Sequence, residues 1–330
     1  MTNTGNNKNK RLIASFAAIF AVFAQSGAAW AQQQNPAEWL ERMSSAVGST
    51  SYQGTVIRRK RGESEALKVV HKIVDGVVNE RVTSQEGNGI EIIRIGNEVH
   101  CILPDKKSVL VEGWNNQSTL FSPLPRVEVT NTPHYDVSVQ REGRIAGRNA
   151  VMIAVRPHDE YRYAHRIWVD EVSGFPLQTE ILDIDGVLIE EVKFADISIS
   201  DEITVDALGP SVDLSGYTWY REPARYEAVE VETNWACDDL PAGFRPVSTR
   251  TEKASGAAEV DAQTTHIVYS DGVANVSVFI ESSLATDKAG WAAMGASNSF
   301  SVQVGGYQVT AMGEVPGITV QRIASSMRQQ

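Results

Sequence analysis

Between Tyr52 and Ile199 the sequence repeats one device: residues alternate apolar and polar, and a turn dipeptide then reverses the chain. Leu67, Val69, His71 and Ile73 oppose Ala66, Lys68, Val70 and Lys72, the period of a half-buried strand. Asp75-Gly76, Gly96-Asn97 and Asp185-Gly186 are hairpin signals, because their residues accept the positive φ that tight reversals demand. Ala150 to Val155 is a near-continuous apolar run, which predicts a strand covered on both faces. After the polar break at Pro157, His158 and Asp159, alternation resumes. Tyr161, Tyr163, His165, Ile167 and Val169 fall on one side, and Arg162, Ala164, Arg166 and Trp168 on the other. Ser173, Gly174 and Pro176 turn the chain again.

About ten consecutive strands with such short links have few arrangements open to them, since sequential strands pair with their neighbours and large sheets curl. The prediction is a mostly β (α+β) chain. Its larger part is a curved antiparallel half-barrel, with a helix over Asn35–Val47 near the concave side. Asn35 is the expected N-cap, Pro36 the first helical residue and Glu38 the capping-box partner. A half-barrel either leaves an apolar hollow or is plugged by helix and loop, and the pattern admits both.

Four segments follow. Residues 1–31 form a cleavable signal: Lys8, Lys10 and Arg11, an apolar run from Leu12 to Ala24, then Ala29-Trp30-Ala31. Residues 32–200 form the large domain. Residues 201–234 read as a linker, rich in Asp, Gly and Pro without sustained periodicity. Residues 235–330 form a smaller α+β domain, with hairpins at Asp271-Gly272 and Gly305-Gly306 and a closing helix over Pro316–Met327. The signal directs the chain to the bacterial periplasm, with full secretion as the alternative. There Cys101 and Cys237 either join in a disulfide or stay as separate buried thiols.

The formal net charge is −11, and removal of the basic signal makes it more negative, which argues against a nucleic-acid partner. Arg58–Arg61 reads as a charged edge strand or as an anion contact. No nucleophile elbow, phosphate loop, dinucleotide fingerprint or metalloprotease helix is present. His158, Asp159, Glu160 and His165 could be taken for a metal cluster, but His165 falls on a strand face while the other three sit in a turn, which favours a solvated turn. Asp183 and Asp185 flank a hairpin and suit turn chemistry better than paired-acid catalysis. Tyr161, Tyr163 and Trp168 read as sheet packing. No catalytic residue, cofactor or metal is therefore expected, and the chain is read as a binding protein.

Specific residues carry a resemblance. Tyr52-x-Gly54-Thr55, Val70-His71, Glu80-Arg81-Val82-Thr83-Ser84 and Val99-x-Cys101-x-Leu103-Pro104-Asp105 are similar to the RseB/MucB family of sigma-E regulatory proteins. So are Ala146-Gly147-Arg148, Pro157-x-Asp159-x-Tyr161-Arg162-Tyr163, Trp168-x-Asp170 and Gly174-x-Pro176-Leu177. In the smaller domain the similarity lies in Leu240-Pro241-Ala242-Gly243-Phe244, Tyr269-Ser270-Asp271-Gly272, Ser277-Val278-Phe279 and Val309-Thr310-x-x-Gly313-Glu314-Val315-Pro316. One departure is Gln85-Glu86-Gly87-Asn88-Gly89, where the family usually has Leu-Asp-Gly and then Arg-Glu.

The resemblance implies a large domain like the lipoprotein carriers LolA and LolB. It implies a small domain that grips the periplasmic part of a single-pass anti-sigma factor and shields it from proteolysis. Lipopolysaccharide or a related lipid would be the release signal, and dimers or larger homo-oligomers are expected. On this reading acyl chains enter under Leu120, Phe121 and Leu124 of the long irregular loop 113–133. The partner surface is placed on the Ser270–Phe279 and Gly305–Pro316 hairpins, with Ser270, Asp271, Gly272, Phe279, Tyr307 and Glu314 as its residues. The competing reading is a periplasmic lipid or lipoprotein carrier.

Overall fold

The computed structural model describes Met1 and residues 35–60, 62–113, 120, 124–221, 226–230, 232–254, 263–282 and 289–330. The expected signal segment, apart from Met1, lies outside the described residues, and so does Phe121. Pro36 to Gln330 form one compact unit. Within it stand two large open sheets and a two-stranded clip.

The first helix, α1 (Pro36–Ser49), begins on its proline as expected and buries Leu40, Met43 and Ala46. Spacing of three residues puts these on one face. Ala46 turns toward the aromatic core below.

The larger sheet is built from β1 (Tyr52–Lys60), β2 (Glu63–Val74), β3 (Val77–Ser84), β4 (Glu91–Ile95), β5 (Glu98–Leu103), β6 (Ser108–Gly113), β7 (Tyr135–Ile145), β8 (Arg148–Pro157), β9 (Ala164–Asp170), β10 (Pro176–Leu182), β11 (Leu188–Ile199) and β12 (Thr218–Arg221). Its order is β12-β6-β5-β4-β3-β2-β1-β11-β10-β9-β8-β7, so two meanders, β1–β6 and β7–β11, join where β1 pairs with β11. The sheet does not close on itself. Ala150 to Val155 of β8 are all buried, as the unbroken apolar run requires. Asp75 and Gly76 both carry positive φ in the β2–β3 turn. At the β10–β11 turn the Asp183 carboxylate accepts the backbone N–H groups of Asp185 and Val187. That is turn chemistry, not an acid pair.

Two expectations change. Strand β9 starts at Ala164, while Tyr161, Arg162 and Tyr163 remain in the preceding turn. There the backbone folds around a buried guanidinium instead of continuing a ladder. The segment after Ile199 is also not a free linker as far as Arg221. Ile203 and Leu208 bury against Val70, and Val212, Leu214 and Tyr217 cover Ile93, Ile102, Val109 and Val111. Val70 points away from Val69, which packs with Ala46 of α1, so this strap lies on the sheet face opposite the helix. Ser211 donates its backbone N–H to buried Glu91, and Arg81 donates to the Gly209 carbonyl. The strap ends as β12, parallel to β6.

The smaller sheet contains β13 (Tyr226–Glu230), β15 (Arg245–Ala254), β16 (Gln263–Ser270), β17 (Asn275–Ser282), β18 (Gly290–Met294), β19 (Ser297–Val304) and β20 (Tyr307–Gly313), in the order β13-β15-β16-β17-β20-β19-β18. Helix α2 (Gly317–Ser325) lays Val320, Ile323 and Ala324 on Ile267, Val276, Val278, Val309 and Ala311. The clip pairs β14 (Trp235–Cys237) with β21 (Met327–Gln329). Cys101 and Cys237 are both free thiols.

Candidate functional site

The two sheets meet around one side chain. Arg162 is fully buried, and all three of its nitrogens have carboxylate or carbonyl partners: Nε donates to Asp271, Nη1 to Asp159 and Nη2 to the Ala242 carbonyl. Its guanidinium lies 4.9 Å from the Phe244 ring centre and 5.6 Å from that of Tyr135. The Tyr135 hydroxyl donates to Asp271 at 2.8 Å. A buried charge is tolerated only with such complete pairing. Burial, with Asp271 beside it, pushes the Tyr135 phenol far above its ordinary value. Burial also drives neighbouring His165 down to about 4, against the pull of Asp271, so it is neutral at pH 7.

Short sequence motifs from both sheets build this junction. Asp159 receives the Tyr161 N–H and thereby folds the turn that aims Arg162 inward. Gly243 has φ +87°, and a Cβ there would stand 2.5 Å from the His134 ring. Only glycine brings the Ala242 carbonyl and Phe244 this close to the guanidinium. Asp271 uses its other oxygen to accept the N–H groups of Val273 and Ala274, at 2.9 and 2.8 Å. Val273, at the tip of that hairpin, is buried with Leu40, Met43, Tyr135 and Ile153, within the core of the larger sheet. Further along, Thr319 donates to the Tyr161 carbonyl at 2.8 Å, and Asn298 donates to the Tyr163 hydroxyl at 3.0 Å. Ala296 packs on Tyr163 and Ile181.

The second feature is the apolar face beneath α1. Tyr52 lies 4.7 Å from Phe175 and 5.7 Å from Phe194, ring centre to ring centre. Leu67, Val69, Leu177 and Val192 complete the buried patch. Around it Val82, Leu120, Leu124, Trp168, Ile197 and Ile199 are only partly buried, which leaves an apolar margin. His71 stacks on Tyr52 at 4.9 Å and meets Glu80 at 2.9 Å, a polar inset in an apolar wall. Burial, together with Glu80, raises the Tyr52 phenol well above its usual value. Among the described residues no cluster of His, Cys, Asp and Glu could hold a metal ion. No helix among them is long and apolar enough to cross a membrane.

The sequence model of the MucB/RseB N-terminal domain matches residues 35–212, and that of the C-terminal domain matches residues 229–328. The chain belongs to the MucB/RseB family. Among similar proteins, the sigma factor AlgU regulatory protein MucB of Pseudomonas aeruginosa is 29% identical over 308 residues, covering 91% of this chain and 92% of that one. The sigma-E factor regulatory protein RseB of Escherichia coli K12 is 24% identical over 301 residues, covering 88% and 89%. The crystal structure of MucB in complex with MucA(peri) superposes with a TM-score of 0.67 at 26% identity, over 90% of this chain and 99% of that one. That of MucB alone gives 0.59 at 25% identity.

In MucB/RseB terms, Asp159 and Arg162 belong to the N-terminal domain, and Ala242, Phe244 and Asp271 to the C-terminal one. The junction is where the two family domains touch. Of Ser270, Asp271 and Gly272, expected on an open partner surface, Asp271 is wholly buried in this junction, Ser270 is buried in its own hairpin turn and Gly272 is exposed. Phe279 stacks on His266 at 4.3 Å. Tyr307 packs edge-on to Trp235 at 5.2 Å, at the end of β20 away from Gly313 and Glu314. The six residues therefore do not form one patch. Leu120 and Leu124 do come together against the apolar core, and Leu124 also reaches the α1 cluster. Arg162 was hidden by its setting, since an arginine inside an alternating run reads as outward-facing. The signal was the Asp three residues before it in a turn.

Proposed function

We propose that this chain is a periplasmic negative regulator of an envelope-stress sigma factor. It binds the periplasmic part of a membrane anti-sigma factor, shields it from proteolysis, and lets go when lipopolysaccharide or a related lipid binds. The observation that carries this is the near end-to-end likeness to MucB in its complex with MucA(peri), with a TM-score of 0.67. In this reading residues 32–200 supply the acyl-chain face under Leu120 and Leu124, and residues 235–330 grip the partner. The relatives named as regulatory proteins support a role by occupancy and not by covalent chemistry.

Release by a ligand requires that it bind the free form better than the complex. A tenfold preference corresponds to about 1.4 kcal/mol of coupling. The Arg162 junction supports such coupling, because it ties the lipid-facing sheet to the partner-facing one through fixed hydrogen bonds. The test is calorimetric titration of the mature protein with the purified periplasmic segment of the cognate anti-sigma factor, with and without lipopolysaccharide. Binding that weakens as lipid is added is the expected result. Absence of binding, or affinity indifferent to lipid, would overturn the reading.

A further inference from the structure

The two large sheets present four edges, and three of them carry devices that discourage strand pairing. Edge strand β7 has exposed Asp136, Arg141, Glu142 and Arg144, with a bulge between Val139 and Arg141. Edge strand β12 is four residues long and carries Arg221, paired with Glu98. Edge strand β13 contains Glu227 and Glu230. Charges, bulges and shortness are how natural sheets keep other chains from docking. The fourth edge is also short, but it carries neither a charge nor a bulge. Strand β18 reads Gly-Trp-Ala-Ala-Met, all five residues are exposed, and among the described residues it pairs with β19 alone.

Its side chains suit a receptor. Trp291 is half exposed and rests on Phe300, with ring centres 4.6 Å apart. The Trp291 ring also approaches Gly317 so closely that a Cβ there would be 3.1 Å away. The indole is thus fixed beside the edge as an apolar shelf. Met294 is 73% exposed and adaptable. The strand is followed by Gly295, where an added Cβ would meet Glu190 and Lys60, and by Ala296, which packs on Tyr163 and Ile181. The edge is therefore continuous with the junction between the domains.

We propose that β18 takes up an extended segment of the anti-sigma partner as an added strand. This deepens the function proposed above and rests on it. Backbone hydrogen bonds along Gly290–Met294 give the affinity, and alternate side chains of the segment give selectivity. The segment is neutral to basic, because the chain carries a net charge of −11. It places an apolar residue over Trp291.

The test uses the mature protein and synthetic peptides tiling the periplasmic segment of the cognate anti-sigma factor. Amide exchange at Gly290–Met294 is followed with and without each peptide. Consecutive residues of a strand point their N–H groups to opposite sides. One of Ala292→Pro and Ala293→Pro therefore removes only an outward donor. Binding of one peptide should slow exchange in β18 about tenfold, and that proline variant should lose about tenfold in affinity while melting like wild type. A lysine at either position, A292K or A293K, should also weaken binding without loss of fold. Wild type binding a peptide with β18 amides unprotected, or folded variants binding as wild type does, would overturn the proposal while sparing the regulator reading. Protection that rises with protein concentration alone would overturn it in favour of a second copy. Failure of wild type to bind the whole segment would overturn both.

Discussion

Arg162 and Asp271 stand 109 positions apart in the sequence and form an ion pair from which both side chains are wholly excluded from solvent. The pair is also the covalently distant weld between the two sheets. Its strength depends on both halves being present, since Arg162 alone would keep only the part-exposed Asp159 as counter-charge and Asp271 alone only neutral donors.

Removing one half should therefore cost far more than removing both. Arg162→Met or Asp271→Leu alone is expected to destabilise the protein by about 3–5 kcal/mol. The double variant Arg162→Met/Asp271→Leu should recover a large part of that loss. Urea unfolding of the three proteins provides the thermodynamic cycle. Additive single losses would mean that the pair is not coupled.

Gly243→Ala should hurt more than Gly216→Ala. Both positions hold positive φ, +87° and +79°, so each pays a backbone cost of about 1–2 kcal/mol. At Gly216 the added methyl meets open space, whereas at Gly243 it strikes His134 and crowds Arg162. Thermal melts should rank the two variants accordingly. Equal losses would show that the turn yields without disturbing the junction.

His165 should make stability fall between pH 6.5 and 4. Its folded pKa is about 4, lowered by burial, against an ordinary unfolded value near 6.5. Across that window the unfolded chain binds more protons, so acid favours unfolding, with a limiting slope of about 1.4 kcal/mol per pH unit. Above pH 6.5 the contribution is flat. Replacing the ring, His165→Leu, should flatten the pH profile of denaturation midpoints in this range. An unchanged slope would place the titration elsewhere.

Asp170 should act at lower pH. Burial raises its carboxyl, but the Arg148 fork at 2.7 and 3.1 Å and the Ser173 donors outweigh burial and hold it below its usual value. The stability it contributes is fully present above the unfolded value near 3.9 and is lost as pH falls through the folded one. Asp170→Asn should therefore weaken the protein at pH 7, with the difference shrinking as pH falls below the unfolded value and through the lower folded one. A difference that persists undiminished in acid would contradict the assignment.

Leu120→Glu should separate the two proposed activities. The side chain packs at the margin of the Tyr52–Phe175–Phe194 core in the larger sheet, where a carboxylate opposes an acyl chain. Lipopolysaccharide affinity should drop about tenfold with partner affinity retained. Parallel loss of both would argue that the residue supports the fold as a whole.

Helix α1, the both-sides-buried strand β8 and the glycine-bearing hairpins could be read from the sequence, because period and turn residue are local properties. What escaped was decided at a distance. Arg162 is inward only because Asp271 and Ala242 arrive from the other sheet. Ile203, Leu208, Val212, Leu214 and Tyr217 dock in an irregular backbone, so their spacing leaves no period to detect. Strand β18 shows no alternation because neither face is buried. Asp271 was singled out from its motif, but chain pattern alone does not tell a plug from a landing site.

The strap from Ile203 to Arg221 bears on how far the halves can travel. Stitched along the outside of the larger sheet, it delivers the chain at Arg221, and β13 of the smaller sheet already begins at Tyr226. Fully drawn out, that leash spans roughly 17 Å. Rocking about the Arg162 weld fits within such a reach, but parting company does not unless the stitching is unpicked first.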